Sequence, residues 1–313
     1  MNLRQLKYFV SIVDLGSLSR ASESLHIAQS ALSQQLAALE ASMDAELLHR
    51  RSRGIVPTDA GLRLYQQAQS ILRQVEDAKT DAKNSIKELS GTVAVGLPLS
   101  FMNPYAYPIL RAIQDQHPKI ALQFHEALSG TTLEWIKNGR LDVGIAFDEG
   151  NLIGLNTVPL IKEQLFLIVS PESPLASQKS VSLQTLEGVR LVLPGSGQGV
   201  RSQVQRALDL QGITNGIVGV EVNSLTLMKQ AVIAGMGATI LSWSSVDNEL
   251  NDKTLVAIEL TDPALSRIAS ICISSVTPQS VACQSVVKII MESVREVALK
   301  AAWPGVQIIE SAL

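Results

Sequence analysis

Residues 3–40, LRQLKYFVSIVDLGSLSRASESLHIAQSALSQQLAALE, carry three apolar-periodic runs divided by Gly16 and by a break at His26–Gln29. Leu3, Leu6, Phe9, Val10 and Val13 recur at three- and four-residue steps, the spacing that lines one face of a helix. Gly16 stops that pattern, and Ser17 or Ser19 then offers an oxygen to the free amides of a second helix, whose buried side is Ala21, Leu25 and Ile27. In the third run Ala31, Leu32, Leu36 and Leu39 make an apolar stripe, while Gln29, Ser30, Ser33 and Gln34 stay polar. Two short helices joined by a tight break form a helix-turn-helix, and Gln or Ser on the outer face of the second can read base edges in a major groove. A plain three-helix bundle with a solvated polar face gives the same pattern, so the flanking sequence has to separate the two.

Downstream, HRRSRGIVPT (49–58) has the Gly and Pro punctuation of a hairpin, or wing. Arg50, Arg51 and Arg53 fall within it with no acid between Leu47 and Pro57, a local positive patch suited to phosphates or a minor groove; the alternative is a solvated basic loop. Thr58 is a natural N-cap for the next helix. From there to Leu89 no proline occurs, and Leu64, Ala68, Ile71, Val75, Ala78, Ala82, Ser85 and Leu89 keep an alternating four-three spacing. A lone helix with one such seam leaves its stripe in water, which predicts a homodimer paired along this helix.

After Ser90-Gly91 the pattern changes to short β-branched runs alternating with helical segments. TVAVGL, a helix over 104–117, IALQF, a helix over 131–139 and VGIAF come first; then LFLIVS, RLVLP, a helix over 199–211, IVGVEV, a helix over 224–235, ATILSW, LVAIEL, IASICIS and a last helix over about 279–300. Nine strands exceed one comfortable small sheet, so two adjoining α/β lobes with a cleft between them are expected, with ligand beyond the carboxyl ends of the strands. The predicted fold class is therefore α/β: an N-terminal winged helix-turn-helix (1–58), a long linker and dimerisation helix (59–90) and a two-lobed α/β domain (91–313). Its first lobe spans about 91–162 and 267–300 and its second about 163–266.

Length and composition agree with this division. At roughly 150 residues per domain, 313 residues make about two folded units, and 46% hydrophobic with 18% charged residues is a globular composition with an ample core. No stretch reaches the ~18 uninterrupted apolar residues of a membrane span, and MNLRQLKYFVSIVD (1–14) meets charge before it can build a signal peptide, which predicts a cytoplasmic protein without membrane contact. The formal net charge of −3 would argue against nucleic acid, but residues 1–90 hold 11 basic and 10 acidic groups against 15 and 19 afterwards, so the negative excess lies in the second part. Cys272 and Cys283 are too few for a disulfide framework or a zinc site and read as reduced core thiols.

Enzymatic readings fare poorly. His26, His49, His117 and His125 lack metal-ligand spacing, and neither a GxSxG elbow nor a P-loop occurs. GSGQG (195–199) follows a strand but is not GxGxxG, so no dinucleotide is expected there. Catalytic residues, metals and cofactors are accordingly expected to be absent, and at 4% aromatics an RNA-stacking surface is disfavoured.

Residues 2–65 resemble the winged helix-turn-helix of LysR-type transcriptional regulators, through LRQLKYFVSIVDLGSLSRASESLHIAQSALSQQLAALE and RGIVPTDAG (53–61). The resemblance continues through SGTTLEWIKNGRLDVGIAF (129–147), PLIKEQLFLIVSPESPLA (159–176) and AGMGATIL (234–241), covering nearly the whole chain. LKYFV, IVDLGSL, LHIAQ and SGTTL are most similar to the nitrogen assimilation control branch. Ser30 stands where many members have proline and Gln34 where many have arginine, which leaves the base preference open. The resemblance implies a sequence-specific regulator of double-stranded promoter DNA, a homodimer assembling to a tetramer, and a small anionic effector held between lobes similar to periplasmic binding proteins. It also implies DNA contacts from Gln29, Ser30, Ser33, Gln34, Arg50, Arg51 and Arg53, and effector contacts from Ser100, Ser129, Thr131, Thr132, Ser196 and Asn223. Ser100 at the mouth of a helix can hold an anion with free helix amides, though it, Ser129, Thr131 and Thr132 would serve equally as caps. Two alternatives remain: a DNA-binding regulator whose cleft is closed by its own side chains and needs no inducer, and a cytoplasmic small-molecule binding protein whose N-terminal bundle only mediates assembly. The segment AAWPGVQIIESAL (301–313) has no assigned role and is expected to pack on a neighbouring subunit.

Overall fold

The structure, a computed structural model, describes residues 1–51, 54–82, 89–147, 152–195, 199–213 and 218–310. The chain divides into two compact units, one comprising residues 1–86 with 137–140 and the other the remainder.

In the first unit, helix α1 (Leu3–Leu15) is opened by a capping box in which Asn2 and Gln5 exchange hydrogen bonds, and is closed by Gly16 at φ 60°, a left-handed conformation that glycine adopts without strain. Helix α2 (Leu18–Leu25) is capped by Ser17, and α3 (Gln29–Met43) follows a three-residue break. Phe9, Ile12, Leu18, Ala21, Leu32, Leu36 and Leu39 form the core with Leu47 and Leu48. Ala31, expected in the stripe, is exposed, because one residue is a 100° step from Leu32 and only the 32–36–39 line faces inward. Strands β1 (Leu48–Arg51) and β2 (Gly54–Pro57) pair antiparallel as the wing. Its base is fixed from several sides: Glu40 Oε1 accepts from the Leu47 and Leu48 amides, Gly16 O accepts from Ile55 N, and Thr58 Oγ1 both donates to Glu46 O and accepts from Gly61 N.

Helix α4 (Asp59–Asp81) starts on that Thr58 cap, and the end expected near 88 lies outside the described residues. The predicted seam is divided: Leu64 packs on the first unit's core and Leu89 is buried in the second unit, leaving Ile71 and Val75 half-buried and Ala78 and Ala82 exposed. Tyr65 of α4 donates a short hydrogen bond to Asp14 of α1 and accepts one from Gln69.

The second unit opens with β3 (Gly91–Leu97), α5 (Leu99–Gln116), β4 (Ile120–Glu126), α6 (Ser129–Lys137) and β5 (Val143–Phe147), with β3 parallel to both β4 and β5. Helix α5 begins five residues before the expected start at 104 and carries Pro104 and Pro108 inside it. Two interior prolines normally break a helix, but here Phe101, Tyr105, Ile109 and Ile113 are fully buried along one side, and Phe101 stacks on Tyr105 at 4.1 Å. Helix α6 lies close on the sheet because Gly144 has no side chain: a Cβ there would meet Thr132 Cγ2 at 2.4 Å and Gly96 O at 3.2 Å. Gly144→Ala is expected to lower the melting temperature of this unit, costing about 1–3 kcal/mol by overpacking, and thermal denaturation followed by circular dichroism checks it.

Strand β6 (Leu155–Val169) is far longer than the LFLIVS run suggested. Its first ten residues pair with β12 (Ser266–Ser274), then the partners change: Leu165–Ile168 pair with β10 (Thr239–Ser242), and Phe166–Val169 with β11 (Val256–Thr261). Pro159 is accommodated at a register shift opposite Ala269/Ser270, where a missing N–H costs no ladder bond. β6 therefore crosses from the first lobe into the second. The second lobe adds β7 (Ser180–Ser182), β8 (Leu191–Leu193), α7 (Gly199–Leu210), β9 (Val218–Glu221), α8 (Leu225–Ile233) and the short α9 (Asp247–Asn251). Helix α10 (Val281–Ala301) returns to the first lobe. After it the tail forms β13 (Val306–Ile308), antiparallel to β6 at Ile161–Glu163, with Trp303 edge-on to Tyr105 at 5.8 Å. Residues 302–310, expected to pack on a neighbour, thus pack on their own domain, and only 311–313 fall outside the described residues.

Candidate functional site

Two surfaces gather functional side chains. On the first unit Gln29, Ser30 and Gln34 are exposed and Ser33 half-exposed, all on α3, while Leu32, Leu36 and Leu39 anchor its opposite side. Ser19 Oγ donates to Gln29 Oε1 at 3.1 Å, which leaves the Gln29 amide nitrogen as a donor for an acceptor on a ligand. The wing stands beside α1, tied to it by the Ile55–Gly16 bond, and presents Arg51 exposed on β1. Arg50 is paired with Ile55 through the backbone, and Arg53 lies outside the described residues.

In the second unit a cavity of about 90 Å³ opens between the lobes. Pro98, Leu99 and Ser100 of the first α5 turn, Leu128 and Ser129 at the start of α6, and Phe147 line it from one lobe. Pro194, Val200, Val222, Asn223, Leu225 and Met228 line it from the other. Of the residues expected at the effector, Ser100, Ser129 and Asn223 are on its wall. Thr131 is not, and Thr132 is wholly buried with its methyl between Gly96 and Gly144, so it serves packing rather than the cleft. Ser196 lies outside the described residues.

Sequence reading missed the cleft's principal charged group. Arg267 lines the cavity at 3% exposure, directly opposite Glu163 in the β6–β12 register and ion-paired with it at 2.8 Å; Glu163 is 1% exposed. Arg267 Nε and Nη2 both donate to Glu163 Oε2, and Nη2 also reaches Ser100 Oγ at 2.9 Å and Ser242 Oγ at 3.1 Å. Ser244 Oγ donates to Glu163 Oε1 at 2.6 Å. The guanidinium lies 3.5 Å over the Phe147 ring. Ser100 and Phe147 belong to the first lobe, Ser242 and Ser244 to the second, and the ion pair to the two strands that cross between them. In sequence Glu163 and Arg267 lay just outside the runs LFLIVS and IASICIS; the usable signal was a single acid and a single base flanking those two β-rich runs.

Other chemistry is sparse. Among the described residues no group of three or more His, Cys, Asp or Glu is placed to hold a metal, and no helix is long and apolar enough to cross a membrane. Cys272 and Cys283 are free and each 1% exposed, and burial pushes the Cys272 thiol up to about 12. Thiolate is the reactive form, so a disulfide-exchange reagent at pH 8 is expected to label neither cysteine in the native protein and both after denaturation, as read by thionitrobenzoate release.

Known proteins share this architecture. Residues 3–62 match the family described as "Bacterial regulatory helix-turn-helix protein, lysR family", and residues 87–295 match the one described as "LysR substrate binding domain". The nitrogen assimilation regulatory protein nac of Klebsiella aerogenes is 37% identical over 305 residues, covering 96% of this chain and 97% of its own. The protein of the same name from Escherichia coli (strain K12) is 35% identical over 292 residues, covering 93% and 94%. Among solved structures, a full-length OxyR from Pseudomonas aeruginosa aligns with a TM-score of 0.71 at 22% identity, over 94% of this chain and 98% of that one. Full-length CbnR in complex with its target DNA aligns with a TM-score of 0.68 at 21% identity, over 95% and 100%.

Proposed function

Because this chain belongs to the LysR family of transcriptional regulators, we infer that its α3 face reads operator bases while its interlobe cleft carries the regulatory signal. It is a DNA-binding transcriptional regulator with an effector-binding domain. The observation that carries the base-reading role is the exposure of Gln29, Ser30 and Gln34, with Ser33 half-exposed beside them, on a helix whose other side is locked by Leu32, Leu36 and Leu39. Such side chains present donors and acceptors to base edges without reorganising the fold. Arg50, Arg51 and Arg53 supply phosphate affinity that falls with salt. Two copies, paired along α4 through Ile71 and Val75, set two such faces on two half-sites, and dimers assemble to tetramers as the effector biases their placement. The protein does no chemistry of its own and acts in the cytoplasm.

Fluorescence anisotropy on DNA from upstream of the protein's own gene, against a scrambled competitor at two salt concentrations, tests this reading. Ser33→Ala is expected to weaken operator binding by about 1–3 kcal/mol while leaving nonspecific binding nearly intact; equal losses on both DNAs would refute base reading by this residue.

Two observations favour a second reading, regulation without an inducer. The Ser100 hydroxyl expected to meet an effector is already bonded by Arg267, and about 90 Å³ is well below the ~300 Å³ at which ligand pockets usually begin. The buried thiols also separate this chain from sensing through cysteine chemistry.

A further inference from the structure

We propose that the C-terminal tail, residues 302–310, is a strap that fixes the angle between the two lobes, so that the cleft opens only when the tail lifts off β6. The proposal concerns the effector domain alone and is independent of what α3 reads.

The tail is built to fold back. Helix α10 ends on Ala302 at φ 48°, a left-handed conformation that is strained for a residue with a Cβ and is kept where surrounding contacts hold it. Trp303-Pro304-Gly305-Val306 then make a tight turn, closed by Val306 N donating to Trp303 O at 3.2 Å, with Gly305 at φ 74°. Proline at the second position and glycine at the third is the signature of a type II turn. Strand β13 follows at once. The whole segment lies beyond residue 295, where the likeness to the substrate binding domain ends.

The tail docks where β6 changes lobes. Ile161 packs in the first lobe's core and Leu165 in the second's, so the change falls on residues 162–164. Among the described elements β6 and β12 run through this point, and a two-stranded ribbon twists and bends readily. Strand β13 adds a third: Gln164 N donates to Gly305 O at 2.8 Å and Ile309 N to Leu160 O at 2.9 Å, with Val306 opposite Glu163 between them. The tail also grips each lobe separately. Trp303, Val306 and Ile308 pack on the first lobe's core, Trp303 edge-on to the fully buried Tyr105. Gly305 lies so close to β6 that a Cβ would meet Gln164 Cβ at 2.5 Å and Phe166 Cε2 at 3.3 Å, and Phe166 belongs to the second lobe's core. Gln164 Nε2 in turn donates to Glu259 of β11 at 3.0 Å. Turning one lobe against the other about residues 162–164 therefore breaks the Gln164–Gly305 bond or draws Trp303 off Tyr105. A three-residue terminal strand with half-buried side chains is held weakly enough to lift without unfolding the domain.

The test is the distance between the lobes across the cleft mouth. Gly130 in the first turn of α6 has open space at its Cβ, and Thr226 in the first turn of α8 is exposed; they adjoin the cavity-lining Ser129 and Leu225 of opposite lobes. Gly130→Cys with Thr226→Cys places two spin labels on the full-length protein, the native thiols being buried, and dilution into unlabelled protein confines the pulsed-EPR reading to one chain. The intact tail is expected to give one narrow distance distribution. A chain stopped after Ala301, Gly305→Val and Trp303→Ala are each expected to move it to longer distances and to broaden it at least about twofold. Gln307→Ala, exposed on β13, leaves it unchanged. Circular dichroism melting identifies the folded variants, and Trp303→Ala, which removes only a half-buried side chain, serves if the truncation and Gly305→Val do not fold. An unaltered distribution in any folded variant of these three overturns the proposal, as does a broad distribution in the intact chain.

Discussion

Glu163→Ala lowers the stability of the effector domain by about 3–5 kcal/mol, the expected result of leaving a buried guanidinium without its counter-ion. Arg267 is 3% exposed, and two of its nitrogens spend their hydrogen bonds on Glu163 Oε2. Removing the carboxylate leaves a nearly buried cation that Ser100, Ser242 and the Phe147 face compensate only in part. For a unit of this size each kcal/mol moves the melting temperature by about 2–4 °C, so calorimetry on the full-length protein should show the main transition falling by roughly 10 °C. The double replacement Glu163→Gln with Arg267→Met removes both desolvation penalties together and should recover most of that loss. A fall of under about 1 kcal/mol in the single variant would mean that the pair behaves like a solvated surface pair.

Leu32→Ala is the second large effect, and it acts on function through the fold. Leu32 is fully buried in the core shared by α1, α2 and α3, so truncation leaves a cavity costing about 2–5 kcal/mol. A unit of this size holds only about 5–10 kcal/mol in all. The variant headpiece is therefore expected to be partly unfolded near 37 °C, with operator affinity reduced at least tenfold, while the main transition of the effector domain stays in place. Circular dichroism melting paired with anisotropy reads both quantities. Unchanged melting with lost binding would place Leu32 at the DNA instead of in the core. The contrast with Ser33→Ala is informative: neighbouring residues on one helix, one altering the scaffold and the other the reading surface.

The headpiece was legible because its contacts are local. Gly16, Ser17 and Thr58 each do in the structure what their residue type and position predict, since a cap depends on a few adjacent backbone groups. The effector lobes were legible as alternating elements but not at their seams. Pro159, Lys162 and Glu163 argue locally for a loop, yet they continue β6 because a register shift receives the proline and Arg267, a hundred residues away, receives the carboxylate. The same holds for Arg267 in the cleft: no local pattern reveals that a basic residue after a turn will be buried under a phenylalanine ring. Thr132 was misplaced for the opposite reason, its hydroxyl suggesting a polar role while the empty space left by Gly96 and Gly144 draws its methyl inward. Burial of side chains by partners distant in sequence is what one chain does not disclose.

The tail strand β13 has a consequence for how the molecule comes to be made. A chain emerges from its N-terminus, and the headpiece, whose wing and helices contact one another within the first 65 residues, has all its partners early. Strand β6 does not. Its inner neighbour β12 arrives about a hundred residues later, and its outer neighbour at Glu163 is Val306. During synthesis a DNA-binding head is therefore complete while the strand that joins the two lobes still shows two unpaired edges, a period in which it depends on the cell to keep those edges from other chains.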